Sequence, residues 1–535
     1  MGAAGNLRAS RSLGRLAICM LLAYAALASG LAAAAKAQGV VPTGDGPVRG
    51  TETPAMKEYL GIPYAAAPVG DLRWRPPQPH AGWRTPLDAT SFGNHCPQPA
   101  SPFGRASTTE DCLFLNVFTP NDGPGKGHTK RLPVMFWIHG GGLVVGESDD
   151  YDPTRLVEQG RVVVTFNYRL GYLGFLAHPS LTAEGGGASG NYGLMDQQAA
   201  LRWVQRNIAK FGGDPEDVTI FGESAGGLSV HSQLVSPLAA GLFDRAIVQS
   251  GAYTLGLPSL AAAERQGEGV AHDLACSDGS LACLRAVPPS SILAIQPVQA
   301  GAINPDVDGR VLPLSIQDAF ASGQFNRVPV TEGSNHDEFS IFAALYIEFE
   351  FGEIPTSFYP IVLNILLPQI GVHASPADVL AQYPIATYNN VFLAVTALAT
   401  DAVFACPARR AAQSLSQYVP TYEYEFNDPN APQPFLDREP SFPLRAFHAS
   451  ELRYLFDPPP GFDVPLTADQ QKLADAMVSY WTQFAATADP NSARTPEWPP
   501  YTTASDRMIS LEPPTPQVIG DFATDHHCAF WDTHL

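Results

Sequence analysis

The chain has 535 residues, 45% of them hydrophobic, and carries a formal charge of −20 at pH 7. So acidic a chain would repel phosphate backbones, which excludes a nucleic-acid partner. Its length is ample for a large buried core but leaves the domain count open.

Arg8, Arg11 and Arg15 precede an apolar run over residues 16–27, and small residues follow. Ala35-Lys36-Ala37 before Gln38 fits a small-x-small cleavage site, so residues 1–37 read as a secretory leader. The competing reading is a membrane anchor, since residues 16–35 are long enough to span a bilayer. Gly30, Ser29 and the many alanines weaken it. The expected product is a secreted or periplasmic chain, residues 38–535, with no stable membrane span after cleavage. It keeps six cysteines: Cys96, Cys112, Cys276, Cys283, Cys406 and Cys528. An even number in an exported chain points to three disulfides, with buried free thiols as the alternative. Close spacing favours Cys96–Cys112 and Cys276–Cys283, which leaves Cys406–Cys528. No C-x-x-C or paired-histidine spacing suggests a metal.

Residues 39–50 are turn-rich. The run Pro68-Val69-Gly70-Asp71-Leu72-Arg73-Trp74-Arg75-Pro76-Pro77 is too proline-rich for a helix or central strand. A strand is expected over residues 112–118, and residues 121–130 read as a polar loop. Residues 133–138 are almost wholly apolar, as expected of a strand buried on both faces, and residues 161–168 read as another buried strand. Residues 196–211 have helical spacing of Ala199, Leu201, Val204 and Ile208, and Gly212-Gly213-Asp214-Pro215 stops them. Further strands are expected at 218–220, 246–250, 328–332 and 422–426, the last more exposed because tyrosine and glutamate alternate in it. Apolar strands alternating with helices indicate one large α/β domain with a mostly parallel central sheet. Residues 337–370 are rich in aromatics and are expected to form helices capping the sheet, some lining a pocket mouth.

Gly222-Glu223-Ser224-Ala225-Gly226 lies between the strand at 218–220 and a helix-forming run. Strand, glycine turn, serine, helix is the context in which G-x-S-x-G exposes a nucleophile. Serine needs a base, and a histidine oriented by a carboxylate is the usual one. In chain order nucleophile, acid, histidine, His448 in the loop before Glu451-Leu452-Arg453-Tyr454 is the leading candidate. His231 is expected to pack on the helix, and His526 and His527 sit beside Cys528. The acid falls in Asn335-His336-Asp337-Glu338, where residue type does not choose between Asp337 and Glu338. Gly140-Gly141-Gly142, directly after a buried strand, offers backbone N–H groups that, with that of Ala225, could hold an oxyanion.

Several stretches together resemble the type-B carboxylesterases, the family of bacterial para-nitrobenzyl esterases, animal carboxylesterases and cholinesterases. They include Gly61-Ile62-Pro63-Tyr64, Glu110-Asp111-Cys112-Leu113-Phe114-Leu115-Asn116-Val117, Asn167-Tyr168-Arg169, Gly190-Asn191-Tyr192-Gly193-Leu194-Met195-Asp196-Gln197 and Phe211-Gly212-Gly213-Asp214-Pro215, and the likeness covers residues 48–531. It implies an α/β-hydrolase fold with helical cap insertions. It implies Ser224 as nucleophile, Glu338 as acid, His448 as base, and Gly141, Gly142 and Ala225 as oxyanion donors. It implies the disulfides Cys96–Cys112, Cys276–Cys283 and Cys406–Cys528, a small-molecule ester substrate and no cofactor. Phe339 stands where the family's acid is followed by glycine. No tryptophan occurs in residues 97–111, where cholinesterases carry a choline-stacking one, which disfavours a choline ester. Leu143, where relatives place an aromatic, is expected to alter the acyl side of the pocket. An amide, carbamate or thioester hydrolase is the rival within the class, and a non-catalytic adhesion or scaffold relative the rival outside it. The oligomeric state is left open.

Overall fold

The computed structural model describes residues 36–121, 130–297, 301–457 and 464–534. Nearly all of the expected leader, and most of the polar loop at 121–130, lie outside them. One 13-stranded sheet organises the rest. Its strands in chain order are β1 (Lys36–Pro42), β2 (Pro47–Glu52), β3 (Met56–Pro63), β4 (Leu87–Asp88), β5 (Phe114–Pro120), β6 (Leu132–Ile138), β7 (Val162–Phe166), β8 (Gly213–Glu223), β9 (Arg245–Gln249), β10 (Val330–Asn335), β11 (Thr421–Phe426), β12 (Met508–Leu511) and β13 (Gln517–Ile519). The spatial order is β1-β2-β3-β5-β7-β6-β8-β9-β10-β11-β12-β13, with β4 beside β2. Pairing from β7 through β12 is parallel, and antiparallel strands finish both edges.

The central strands are apolar throughout because helices cover both of their faces. Successive side chains point to opposite sides. Val134, Phe136 and Ile138 of β6 therefore join the core under the helices Tyr192–Asn207 and Ala225–Val235. Met135 and Trp137 join the opposite core, against Leu473, Met477 and Trp481 of the helix Ala468–Thr487. The helix expected at 196–211 begins four residues earlier and ends in a 3-10 turn, Ile208–Phe211, capped by Gly212 at φ 93°.

One expectation is corrected. β11 is not exposed: all six of its residues are buried. Tyr422, Tyr424 and Phe426 enter the core beneath the helix Ala468–Thr487. The opposite face carries Glu423 and Glu425, and the chain's C-terminal segment closes over it. Glu425 accepts a hydrogen bond from His526 Nε2 at 2.6 Å. Burial pushes the Glu423 carboxyl well above its usual range. Alternation reported the pleat correctly, but a carboxylate with a buried partner is not evidence of solvent.

Three disulfides tie the periphery down: Cys96–Cys112, Cys276–Cys283 and Cys406–Cys528, the last closing a separation of 122 residues. They are compatible with an extracellular or periplasmic protein. The helical run Val391–Leu415 is long and apolar enough to cross a membrane, but its most apolar window is 83% buried inside the fold, the setting of a core helix.

Candidate active site

The parallel register brings the carboxyl ends of the central strands into line. Ile138 pairs with Gly222, Glu223 with Gln249, Gln249 with Gly333, and Asn335 with Phe426. The loops leaving β6, β8 and β10 therefore emerge side by side, and functional residues in such sheets collect at that edge.

Ser224 sits between β8 and the helix Ala225–Val235 at φ 56°, ψ −121°, a conformation that non-glycine residues rarely adopt. Its N–H donates to Gln249 O at 2.8 Å, which helps hold the corner. The flanking glycines are there for space. A Cβ on Gly226 would lie 1.9 Å from Ile138 O, and one on Gly222 would lie 2.6 Å from the Gly226 carbonyl carbon. Helix and strand can approach this closely only without side chains, and the approach thrusts the serine outward.

The loop after β6 lies against the serine, since a Cβ on Gly140 would be 3.2 Å from Ser224 Cβ. Gly141 and Gly142 take φ of 99° and 63°, accessible to glycine at little cost. Among the described residues, their N–H groups and that of Ala225 donate to no protein acceptor. Leu143 departs from expectation: it is fully buried in the core beneath the sheet and is not on the cavity wall, which Val145 lines instead.

His448 follows β11 in a loop tied back to β10's exit: its N–H donates to Glu338 O at 3.2 Å, and Asp337 N–H donates to Ala446 O at 3.0 Å. Its Nδ1 lies 2.6 Å from Glu338 Oε2, and Glu338 Oε1 accepts from the Asn335 N–H at 2.8 Å. Glu338 is fully buried. Asp337 turns the other way, towards His336 at 2.9 Å and Arg445 at 3.6 Å. Geometry thus separates two neighbours that residue type left equivalent. The imidazole packs between Phe342 and Phe404, each with its ring centroid 5.0 Å away.

Among the described residues, His448 Nε2 has no hydrogen-bond partner. It lies 3.1 Å from Oε1 of Glu223, a residue to which the sequence assigned no role although it adjoins the serine. Burial drives the Glu223 carboxyl up to about 8 against the attraction of His448. Burial pulls the His448 imidazole down, but Glu223 and Glu338 outweigh it and hold it up at about 9. The two groups face each other and titrate as a pair that shares one proton. Behind them, Glu451 accepts from Gln249 Nε2 at 3.0 Å and from Asn335 Nδ2 at 2.7 Å, joining the ends of β9 and β10.

Ser224, His448 and the glycine loop open on a cavity of about 2060 Å³. Its wall includes Phe339, Phe342, Ile354, Val362, Leu366 and Phe404, so the aromatic segment at 337–370 does reach the pocket. Among the described residues, two clusters could approach a common cation: His95 with Glu147 and Asp149, and His336 with Asp525 and His526. Arg105 already neutralises both carboxylates of the first, and Asp401 and Glu425 occupy both ring nitrogens of His526 in the second.

The pattern of the carboxylesterase family matches residues 37–531. The chain belongs to that family. It is 34% identical to the para-nitrobenzyl esterase of Bacillus subtilis (strain 168), an alignment covering 88% of this chain and 94% of the relative. It is 35% identical to the fumonisin B1 esterase of Sphingopyxis macrogoltabida, covering 87% and 85%. It is 34% identical to the cocaine esterase of Homo sapiens, covering 90% and 87%. Among solved structures, a PNB esterase superposes with a TM-score of 0.75 at 32% identity, over 91% of this chain and 98% of that one. The fold is thus the α/β-hydrolase fold, and this carboxylesterase is a carboxylic ester hydrolase acting on small-molecule esters.

Proposed function

We propose that this carboxylesterase is an exported serine esterase that cleaves esters with a bulky apolar acyl or alcohol group through an acyl-enzyme on Ser224. The observation that carries the reading is the buried His448–Glu338 pair at 2.6 Å, beside a strained serine at the foot of an apolar-walled cavity. His448 Nε2 takes the Ser224 proton as Oγ attacks the ester carbonyl. Glu338, accepting from Nδ1, fixes the tautomer and stabilises the imidazolium that forms. The carbonyl electrons move onto oxygen, where the Gly141, Gly142 and Ala225 N–H groups receive the charge. Collapse expels the alcohol, which takes its proton from His448. Water then enters by the reverse sequence and frees the acid. The Nε2–Oγ hydrogen bond is unmade without substrate, and such bonds commonly tighten only in the Michaelis complex.

The names of the relatives span nitrobenzyl, fumonisin, cocaine, acylcarnitine and pyrethroid esters, so no single substrate carries over. The aromatic cavity wall supports bulk instead. Export is supported by the leader-like residues 1–37, before a single α/β-hydrolase domain over 38–535, and by the three disulfides. A panel of 4-nitrophenyl acyl esters and aryl acetates, with matched amides, carbamates and thioesters, tests the reading. Higher kcat/KM for bulky esters than for small acetates is the expected result; a clear preference for amides or for small acetates overturns it.

A further inference from the structure

The charged groups on the cavity wall are mostly paired. Arg105 lies 2.8 Å from Asp149 and 3.1 Å from Asp150, and Arg453 lies 3.7 Å from Asp457. Among the described residues Glu350 and Glu353 of the wall have no ion pair, and of its three arginines Arg410 alone has none. It lines the same cavity from the helix Cys406–Leu415, one turn beyond Pro407, which is also on the wall. It is half-buried, and among the described residues its guanidinium meets neither a hydrogen-bond acceptor nor a carboxylate. The contrast with its neighbour is sharp. Arg409 binds Asp506 through two nitrogens, at 3.0 and 2.7 Å, and lies 3.6 Å from Asp532. Asp532 reaches Arg410 only through longer-range attraction, and burial draws the Arg410 guanidinium below its ordinary value.

A cation partly withdrawn from water with no close partner among the described residues loses hydration that nothing nearby replaces. The fold nevertheless holds Arg410 at the cavity. It lies six positions beyond Phe404, whose ring packs on His448, so the helical run carries it roughly 9 Å further along. Ile354, Val362, Leu366 and Val403 give the same cavity an apolar lining. A guanidinium presents a planar fork of N–H donors that matches a carboxylate with two parallel hydrogen bonds.

We infer that Arg410 is an anion subsite of the substrate cavity, accepting a carboxylate carried at the far end of an otherwise apolar ester. The inference rests on the cavity being the ester site, and it deepens that reading: the preferred substrate is amphipathic, reactive at one end and anionic at the other.

The test compares 4-nitrophenyl monoesters of succinate, adipate, suberate and sebacate with the methyl-terminated butyrate, hexanoate, octanoate and decanoate. A second series, acetates of ω-hydroxy acids against acetates of the matching alkanols, places the anion on the alcohol. The readout is the ratio of kcat/KM for the anionic ester to that for its neutral partner. Arg410→Met should lower the ratio roughly 10–100-fold in at least one series, mainly through KM. Arg410→Lys should keep part of it, and Arg410→Gln replaces the methionine variant if that one does not fold. Binding to Ser224→Ala by calorimetry needs no turnover. There monoethyl sebacate should bind more tightly than diethyl sebacate, and Arg410→Met should abolish the difference. An unchanged ratio in both series, or no difference in binding between the two sebacates, overturns the subsite. Should the wild type cleave neither series, the esterase reading fails, and the calorimetric comparison still decides on Arg410.

Discussion

Two buried histidines in this molecule have almost the same surroundings. His448 places Nδ1 2.6 Å from Glu338 and Nε2 3.1 Å from Glu223. His526 places Nδ1 2.6 Å from Asp401 and Nε2 2.6 Å from Glu425. Burial pulls each imidazole down and paired carboxylates hold each up, at about 9 and about 10. What differs is the second nitrogen. In His526 it is hydrogen-bonded to Glu425, while Phe522 packs on the ring and the Cys406–Cys528 disulfide lies alongside. That imidazole is a strut between the C-terminal segment and β11. In His448 the second nitrogen is unbonded and faces a cavity that also exposes Ser224. A histidine–carboxylate pair is therefore not a signature of catalysis; a free Nε2 beside a nucleophile is.

The comparison breaks most plainly at the serine. Ser224→Ala should lose roughly 10⁴–10⁶ in kcat with an unchanged melting temperature, and ester turnover surviving in that variant would refute the assignment. Next is the orienting acid. Glu338→Gln should cost about 10⁴ in kcat, because the amide favours the wrong tautomer. Asp337→Asn should cost far less, because Asp337 faces His336 and Arg445; the reverse order of losses would move the acid to Asp337.

The strut responds differently. His526→Gln strands Glu425 and leaves Asp401 only Tyr383 and His527; it should cost about 3–5 kcal/mol of stability, read by denaturant unfolding, while kcat of the folded fraction stays near wild type. The pH dependence follows from the direction of the shift. An imidazole raised from 6.5 to about 10 on folding contributes stability fully present below about pH 6.5, and the contribution is lost as pH rises through about 10. Wild type should lose stability over that window, and His526→Gln should lose less. A variant with wild-type stability at every pH would show that the network bears nothing.

The sequence carried the local features well. Ser224 between its glycines, the Gly140–Gly142 turn and the apolar runs that became β6 and β7 are contiguous, so short-range pattern suffices. It could not choose between Asp337 and Glu338, because adjacent carboxylates differ only in which way the loop turns them. Nor could it see the His526 network, whose partners are 125 and 101 residues away. The same distance effect made β11 read as exposed: its glutamates are polar in the sequence, yet both are buried, Glu425 against His526. Arg410 lies further still from what a sequence reports, since its distinguishing property is that, among the described residues, it lacks the close partner its neighbour Arg409 possesses.

The smallest expected effect is also the one that sharpens the comparison most. If His448 is the base it must be neutral to act, so kcat/KM should rise with pH through the titration of the Glu223–His448 pair, with a midpoint above the ordinary imidazole value. Glu223→Gln removes a negative charge 3.1 Å from Nε2. The imidazolium loses that support, so the midpoint should fall, by about one pH unit, equivalent to about 1.4 kcal/mol. Activity at mildly acidic pH would then be a larger fraction of its plateau than in wild type. A midpoint that stays put would mean that Glu223 remains protonated across the whole range, as burial alone favours. The shared proton would then belong to Glu223, and His448 would rest as a neutral base held by Glu338 alone, which is the sharpest form of its difference from His526.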